Sequence, residues 1–235
     1  MFWLIENNKQ LNEFKEKGFR RVFVEPLFSN DNQHPFLRGI VGFYIREINH
    51  RKGFILNINH SEATSCDSSK IYELLGGFEE IFVRDRKEFL HIVPLKQLSD
   101  IHFISPTDIP DSFPCHDFFY NKYPHIANIG SIIPIVKHYE RCETLYNAVK
   151  HVFAMDKPPH FEFYNHKATN VFYWIEAEGI KVNPKLFEKH FGVERDWTYS
   201  QFNLKTTTTR PSNSFGGINY AALDKKTGCR DAFIP

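Results

Sequence analysis

The densest run of chemistry-bearing side chains lies in residues 206–235, TTTTRPSNSFGGINYAALDKKTGCRDAFIP. Four threonines lead into Arg210, followed by Ser212-Asn213, a Gly216-Gly217 turn, Asn219 and a basic loop with Lys225 and Arg230. Hydroxyls and amides hydrogen-bond phosphate and sugar oxygens, and a guanidinium adds a planar, permanently charged fork. Such a set suits a nucleic-acid backbone, although a threonine run also makes an ordinary exposed strand. The other candidates are sparser. Cys66, Cys115, Cys142 and Cys229 are far apart, with no C-x-x-C pair, and read as free thiols of a reducing compartment. Cys115, His116, His138 and Cys142 would have to converge in space to bind zinc, and their spacing gives no sign of it. His60-Ser61-Glu62 and Lys137-His138-Tyr139-Glu140 are polar clusters that read as satisfied surface groups.

These side chains need a scaffold, and the composition provides for one. With a formal net charge of +1 over 235 residues the chain is not a polycation, so a nucleic-acid site must be a local patch. The 24 phenylalanines are enough to fill a sizeable core. The opening MFWLIE turns polar too soon for a signal peptide, and no apolar run approaches the ~20 residues of a membrane span. The expectation is a soluble cytoplasmic protein, in the host cytoplasm if phage-encoded, without membrane partners and monomeric.

Pattern and punctuation predict the elements. A helix follows Asn7-Asn8, with Leu11 and Phe14 on one face and Gly18 as its stop. Strands are expected at 21–28, 41–48 and 53–60, then a helix at 69–75 capped by Ser68, then a fourth strand at 80–86. Residues 100–133, rich in proline, read as irregular. Pro134 then suits the first turn of a long helix whose stripe is Val136, Tyr139, Cys142, Tyr146, Val149 and Phe153. Further helices are expected around Ala168, Val171, Phe172 and Ile175, stopping near Gly179, and from the Asn183-Pro184 cap to Gly192. From Trp197 to Arg210 the β-branched, polar run reads as extended. This is an α/β pattern.

Residues 206–235 resemble the stretch that precedes the first catalytic motif of family-A DNA polymerases, with pattern T-x-T-G-R-L-S-S, an L-Q-N-I-P run, a glycine, arginines and A-F. Thr207, Thr209, Arg210 and Ser212 match its first part. Ile218-Asn219 fall at the Leu-Gln, and Gly228, Arg230, Ala232 and Phe233 follow in order. The R-P-S-N and A-A-L variants are similar to phage-type members. Thr209 replaces a family glycine, so a β-carbon restricts the backbone there. A second match, NVFYWIEAEGIKVNPKLF at 170–187, resembles the family helix ending I-E-x-x-G-I-x-V/I-D-P, with Asn183 in place of the aspartate cap. Only about one short helix fits between Gly179 and Thr198, where most members have a long thumb.

The resemblance implies an RNase-H-like, 3′–5′ exonuclease-like domain at 1–155, degenerate in its metal site. It is followed at 156–235 by helices and the incomplete start of a polymerase palm, cut before the first catalytic carboxylate motif. Exonuclease chemistry needs two metal ions on three or four carboxylates. In place of the usual D-x-E, the first strand offers Glu25, with Asp31 beyond it. The other candidates are Asp85, Asp117 and Glu143, the last standing at the aspartate of a Y-x-x-x-D motif begun by Tyr139. For the parent protein the resemblance implies template-directed DNA synthesis from deoxynucleotides with Mg2+ on palm aspartates absent here. Its primer–template would be held by Lys205, Thr207, Thr209, Arg210, Ser212, Asn213, Asn219, Lys225 and Arg230. No metal is expected on this chain. The alternative is an RNase-H-like nucleic-acid-binding or exonuclease module acting as it stands, and a C-terminal region closed on itself would favour it.

Overall fold

The computed structural model describes residues 2–28, 39–105, 133–204, 211–213 and 222–234, with 212–213 described as backbone only. The chain forms two compact units, Met1–Asn165 and His166–Pro235.

The first unit is built on a six-stranded sheet. Its strands are β1 (Trp3–Ile5), β2 (Arg21–Phe28), β3 (Ile40–Glu47), β4 (Phe54–Asn57), β5 (Glu80–Val83) and β6 (Leu98–Asp100). They lie in the order β1-β4-β3-β2-β5-β6. β2 and β4 both run antiparallel to β3, whereas β5 is parallel to β2 and β6 to β5. The parallel pairs are joined by helical crossovers, as parallel pairing requires. These are α2 (Ser68–Gly76) on the way to β5 and α3 (Arg86–Leu90) on the way to β6. The order β4-β3-β2-β5-β6, with β3 antiparallel to both of its neighbours and β5 and β6 parallel to β2, resembles an RNase-H-like sheet; β1 adds a parallel edge strand beside β4.

Alternation along the strands decides what each face meets. Phe43 turns to Tyr72 of α2 and Phe89 of α3, and Phe54 meets Phe14 of α1 (Asn8–Lys15). Phe23 and Tyr44 turn to the other face, where Phe23 meets Tyr146 and Tyr44 meets Tyr139. Both tyrosines belong to α5 (Ile135–Val149); the short α4 (Ile101–Ile104) precedes it. With both faces covered, all of β2 except Arg21 is buried, which explains the near-continuous apolar run RVFVEPLF.

Several expected boundaries shift for local reasons. The cap of α2 is Asp67, which accepts from the Ser69 amide, and not Ser68. The third strand stops at Asn57, because the Asn57 amide gathers the carbonyls of His60, Ala63 and Thr64 and folds the chain into a loop. The fourth ends at Val83, and Asp85 then caps α3 by accepting from the Glu88 amide. Pro134 is the cap residue of α5, not a member of its first turn. The buried stripe of that helix is Ile135, His138, Cys142, Leu145, Tyr146 and Val149, so Val136 faces solvent and His138 faces the core. Helix α4 and strand β6 occupy the start of the stretch read as irregular; 106–132 lie outside the described residues. Asn165 closes the unit: the Asp100 amide donates to its Oδ1 (2.8 Å), and its Nδ2 donates to the Leu98 carbonyl (2.9 Å).

In the second unit, α6 (Thr169–Glu178) ends at Gly179, whose φ of 71° is left-handed. β7 (Ile180–Lys181) follows, then α7 (Pro184–Phe191), capped by Asn183 and closed by Gly192 at φ 74°. β8 (Trp197–Thr198) pairs antiparallel with β7, and β9 (Phe202–Asn203) with β10 (Ser212–Asn213). Residues 229–234 fold back onto α7, and Val182, Phe187 and Ala232 form a small core with Leu186, Phe191 and Phe233 around it. Among the described residues this C-terminal region is therefore closed on itself. On α6 the exposed large apolar residues are Val171, Trp174 and Ile175, whereas Glu176 is fully buried and accepts from the Phe202 amide (2.6 Å). Of the residues expected on this helix, Phe172 is half-buried against Phe202, whereas Val171 and Ile175 are exposed. Among the described residues no helix is long and apolar enough to cross a membrane.

Candidate functional site

Glu25 and Glu143 lie on one face of the first unit's sheet. Glu25 sits in mid-β2, directly opposite Tyr44 of β3. Cross-strand partners share a face, and the Tyr44 hydroxyl donates to Glu143 Oε1 of α5 at 2.8 Å. The two carboxylates thus lie on the α5-covered side, with Tyr44 between them.

Each carboxylate is already engaged by an arginine. Glu25, only 2 % exposed, accepts from Arg84 Nε at 3.0 Å. Arg84 extends from the end of β5 and also donates to Glu88 of α3 at 3.2 Å. Glu143 Oε2 accepts from Arg46 Nη1 at 2.6 Å, and its Oε1 takes a second donor, the Gly53 amide, at 2.9 Å. Arg46 lies on the same face as Tyr44, two residues along β3. Its guanidinium stands 3.8 Å from the Tyr146 ring centroid and donates to the His50 carbonyl at 3.0 Å. Gly53 is required at its position, because a β-carbon would fall inside the Tyr44 ring.

This charge arrangement sets the phenols. Burial, then the charge and hydrogen bond of Glu143, push the Tyr44 hydroxyl well above its ordinary value, so it remains a donor. Tyr139, which stacks on Phe2, is pushed up to about 12 by burial, then by its hydrogen bond to Glu143. The Tyr139/Glu143 pair of the sequence motif is therefore one physical cluster. Its charge partner, Arg46, carries no sequence signal beyond being a cation in a buried strand. Arg84 is equally silent, since a charged residue just beyond a strand reads as a solvated end. The remaining acids serve locally. Asp85 is a helix cap, and Asp31 and Asp117 lie outside the described residues.

Of the two polar clusters read as surface groups, His60 and His138 are buried and meet in the interior. His60 Nδ1 accepts from the Glu62 amide (3.2 Å) and its Nε2 donates to the Ile133 carbonyl (2.7 Å). Glu62 accepts from the Ile135 amide (2.9 Å) and so caps α5. His138 is 1 % exposed and edge-on to His60, with ring centroids 6.0 Å apart. Burial, then the charges of Arg141 and His60, push its pKa down to about 3. Ser61, Glu62 and Glu140 keep the expected exposed position, and Lys137 pairs with Glu140. Cys66, Cys142 and Cys229 are buried free thiols; Cys115 and His116 lie outside the described residues. Among the described residues no three His, Cys, Asp or Glu side chains are placed to hold a metal ion.

Of the proposed nucleic-acid contacts in the second unit, Lys205, Thr207, Thr209, Arg210 and Asn219 lie outside the described residues. Ser212 and Asn213 form β10, whose backbone pairs with Asn203 and Phe202. Lys225 is exposed on a 3-10 turn that Asp224 caps. Arg230 is exposed but turns its fork onto the Leu223 carbonyl, at 2.8 and 3.1 Å. It holds the C-terminal turn together in addition to presenting charge. Residues 166–235 hold ten Lys and Arg against seven Asp and Glu, so the second unit carries the positive excess of the chain.

No protein-family model matches the sequence, and a comparison with curated proteins yields no match. Among solved structures the chain is similar to Escherichia coli RNase D, described as an exoribonuclease involved in structured RNA processing. The identity is 12% and the TM-score 0.40, over 75% of this chain and 47% of that one, so the match spans about half of the RNase D chain.

Proposed function

We propose that the chain is a nucleic-acid-binding module built on an RNase-H-like domain whose carboxylate positions have been converted from metal ligands to ion-pair partners. The observation that carries this reading is the double clamp, Glu25 on Arg84 and Glu143 on Arg46. A two-metal centre gathers carboxylates around cations. Here each of the two central carboxylates already faces a guanidinium that supplies the positive charge, so the residues present do not fit that centre. The sheet order supports the scaffold. The positive excess of the second unit supports a polyanionic partner.

The test is direct. Labelled single-stranded and duplex oligonucleotides are titrated with the protein and followed by anisotropy, then incubated with Mg2+ or Mn2+. Binding without trimming is expected. Metal-dependent 3′–5′ trimming that disappears in Glu25→Ala would overturn the conversion of the site, and failure to bind any oligonucleotide at low salt would overturn the module.

The finer reading, that the parent is a family-A DNA polymerase using Mg2+ and deoxynucleotides, rests on the sequence resemblance. Its specific support is the turn after α6, where Gly179 takes a positive φ of 71° and Asn183 caps α7, at the glycine and cap positions of the I-E-x-x-G-I-x-V-x-P pattern. In that parent Arg210, flanked by Lys205, Thr207, Thr209, Ser212, Asn213, Asn219, Lys225 and Arg230, would hold the primer–template. A reading frame that continues past Pro235 into an aspartate-bearing strand would establish it. Primer extension by this chain alone should be absent, and its presence would refute the view that the catalytic carboxylates lie elsewhere.

A further inference from the structure

The short strands of the second unit form a surface that the sequence does not reveal. β7 pairs antiparallel with β8, which places Lys181 directly opposite Trp197. On its other side β7 takes a third segment, with an antiparallel bridge between Val182 and Phe233. The Ile234 amide donates to the Lys181 carbonyl and the Asn183 amide to the Ala232 carbonyl, at 2.9 and 2.8 Å. Partners in an antiparallel pair advance in opposite directions, so Ile234 stands opposite Lys181. Directly opposite residues share a face. Ile234, Lys181 and Trp197 therefore form one row across three strands, while Val182 turns to the core with Phe187 and Ala232.

The row faces solvent: Lys181 is exposed, Trp197 is 44 % exposed and Ile234 40 %. Adjacent strands lie about 5 Å apart, so Lys181 and Trp197 are neighbours on that face. Among the described residues no carboxylate pairs with Lys181 and no ring or cation stacks on Trp197.

We infer that the Ile234–Lys181–Trp197 row is a stacking platform for single-stranded nucleic acid, with one base on the Trp197 indole, the neighbouring phosphate on Lys181 and Ile234 as the apolar border. The inference rests on the nucleic-acid-binding reading above and locates its contact surface. An exposed aromatic beside an uncommitted cation is the pairing that binds single strands with little regard to sequence. The positive excess of this unit gives the charge complementarity to a polyanion.

The experiment titrates the full chain with short labelled oligothymidylate and oligouridylate, in parallel with the intrinsic tryptophan signal. Trp197→Ala should weaken binding roughly 5- to 150-fold, the loss expected for one stacked base. Trp197→Phe should retain most of the affinity, and circular dichroism of both variants reports that they are folded. Lys181→Ala should make the dependence of log affinity on log salt shallower by about 0.7. If the chain binds and folded Trp197→Ala and Lys181→Ala bind as tightly as it does, the row is not the contact and this inference falls while the nucleic-acid reading stands. If the intact chain binds no oligonucleotide at low salt, both fall. A Trp197→Ala variant that changes sedimentation of the free protein but not oligonucleotide binding would make the row a self-association face and overturn the inference.

Discussion

Replacing Arg46 by alanine should destabilise the first unit more than any surface ion pair would. The Arg46 and Glu143 side chains are 10% and 20% exposed, so the pair is mostly shielded from water. In Arg46→Ala, Glu143 Oε1 keeps its donors, the Tyr44 hydroxyl and the Gly53 amide, but Oε2 loses Arg46. Removing one partner of a buried pair costs about 3–5 kcal/mol, and the partial exposure of Glu143 brings this to about 2–3 kcal/mol by the reasoning that screens exposed pairs. Losing the guanidinium over the Tyr146 ring adds about 1 kcal/mol. The expected total is about 3–4 kcal/mol, read as a lower urea midpoint at unchanged slope. Glu143→Gln keeps the acceptor toward Tyr44 and Gly53 while removing the charge. A double-mutant cycle with Arg46→Ala should therefore return a coupling of about 1–3 kcal/mol. A cost below about 1 kcal/mol with no coupling would place the pair with ordinary surface ion pairs and remove the argument that arginine has taken the metal's role.

Three further perturbations test other parts of the structure. His138 is neutral in the fold, with a pKa of about 3 against an ordinary value near 6.5. The unfolded chain therefore takes up a proton that the folded chain refuses. Stability should fall by up to about 1.4 kcal/mol per pH unit between about pH 6.5 and 3, and in His138→Leu the difference from the parent should shrink or reverse across that window; a parallel acid limb would show that His138 is solvated. In Gly179→Ala the β-carbon would meet Tyr199 at 2.7 Å in a left-handed backbone, so the second unit should lose about 2 kcal/mol or more in thermal unfolding, and a neutral result would mean that the turn can relax. Phe187→Ala empties the centre of that unit's small core, where Phe187 stacks on Phe191 with centroids 4.5 Å apart; a loss of about 3–5 kcal/mol is expected in denaturant unfolding, and a cost under 1 kcal/mol would mean that the C-terminal segment is not held there.

Local chemistry was legible in the residues themselves. Asn7 and Asn183 cap their helices, and Gly18 and Gly192 take the left-handed conformation where the pattern ends, because caps and stops are decided within a few residues. The strand β2 and the long helix after Pro134 were readable from periodicity for the same reason. What stayed hidden was every decision made between distant segments. Strand β6 is three residues long and exists because it pairs with β5 while Asn165 holds its backbone from 65 residues away. His138 looks like a surface histidine until the loop that Asn57 folds brings His60 and Glu62 against α5. The acids at Glu25 and Glu143 were visible as candidate ligands, but their partners were not. Arg84 and Arg46 become partners only when sheet register sets them on the α5 side, since register fixes the face and the face fixes which charge meets which. The row of Ile234, Lys181 and Trp197 has the same origin: three residues with no common sequence pattern, aligned by two strand pairings.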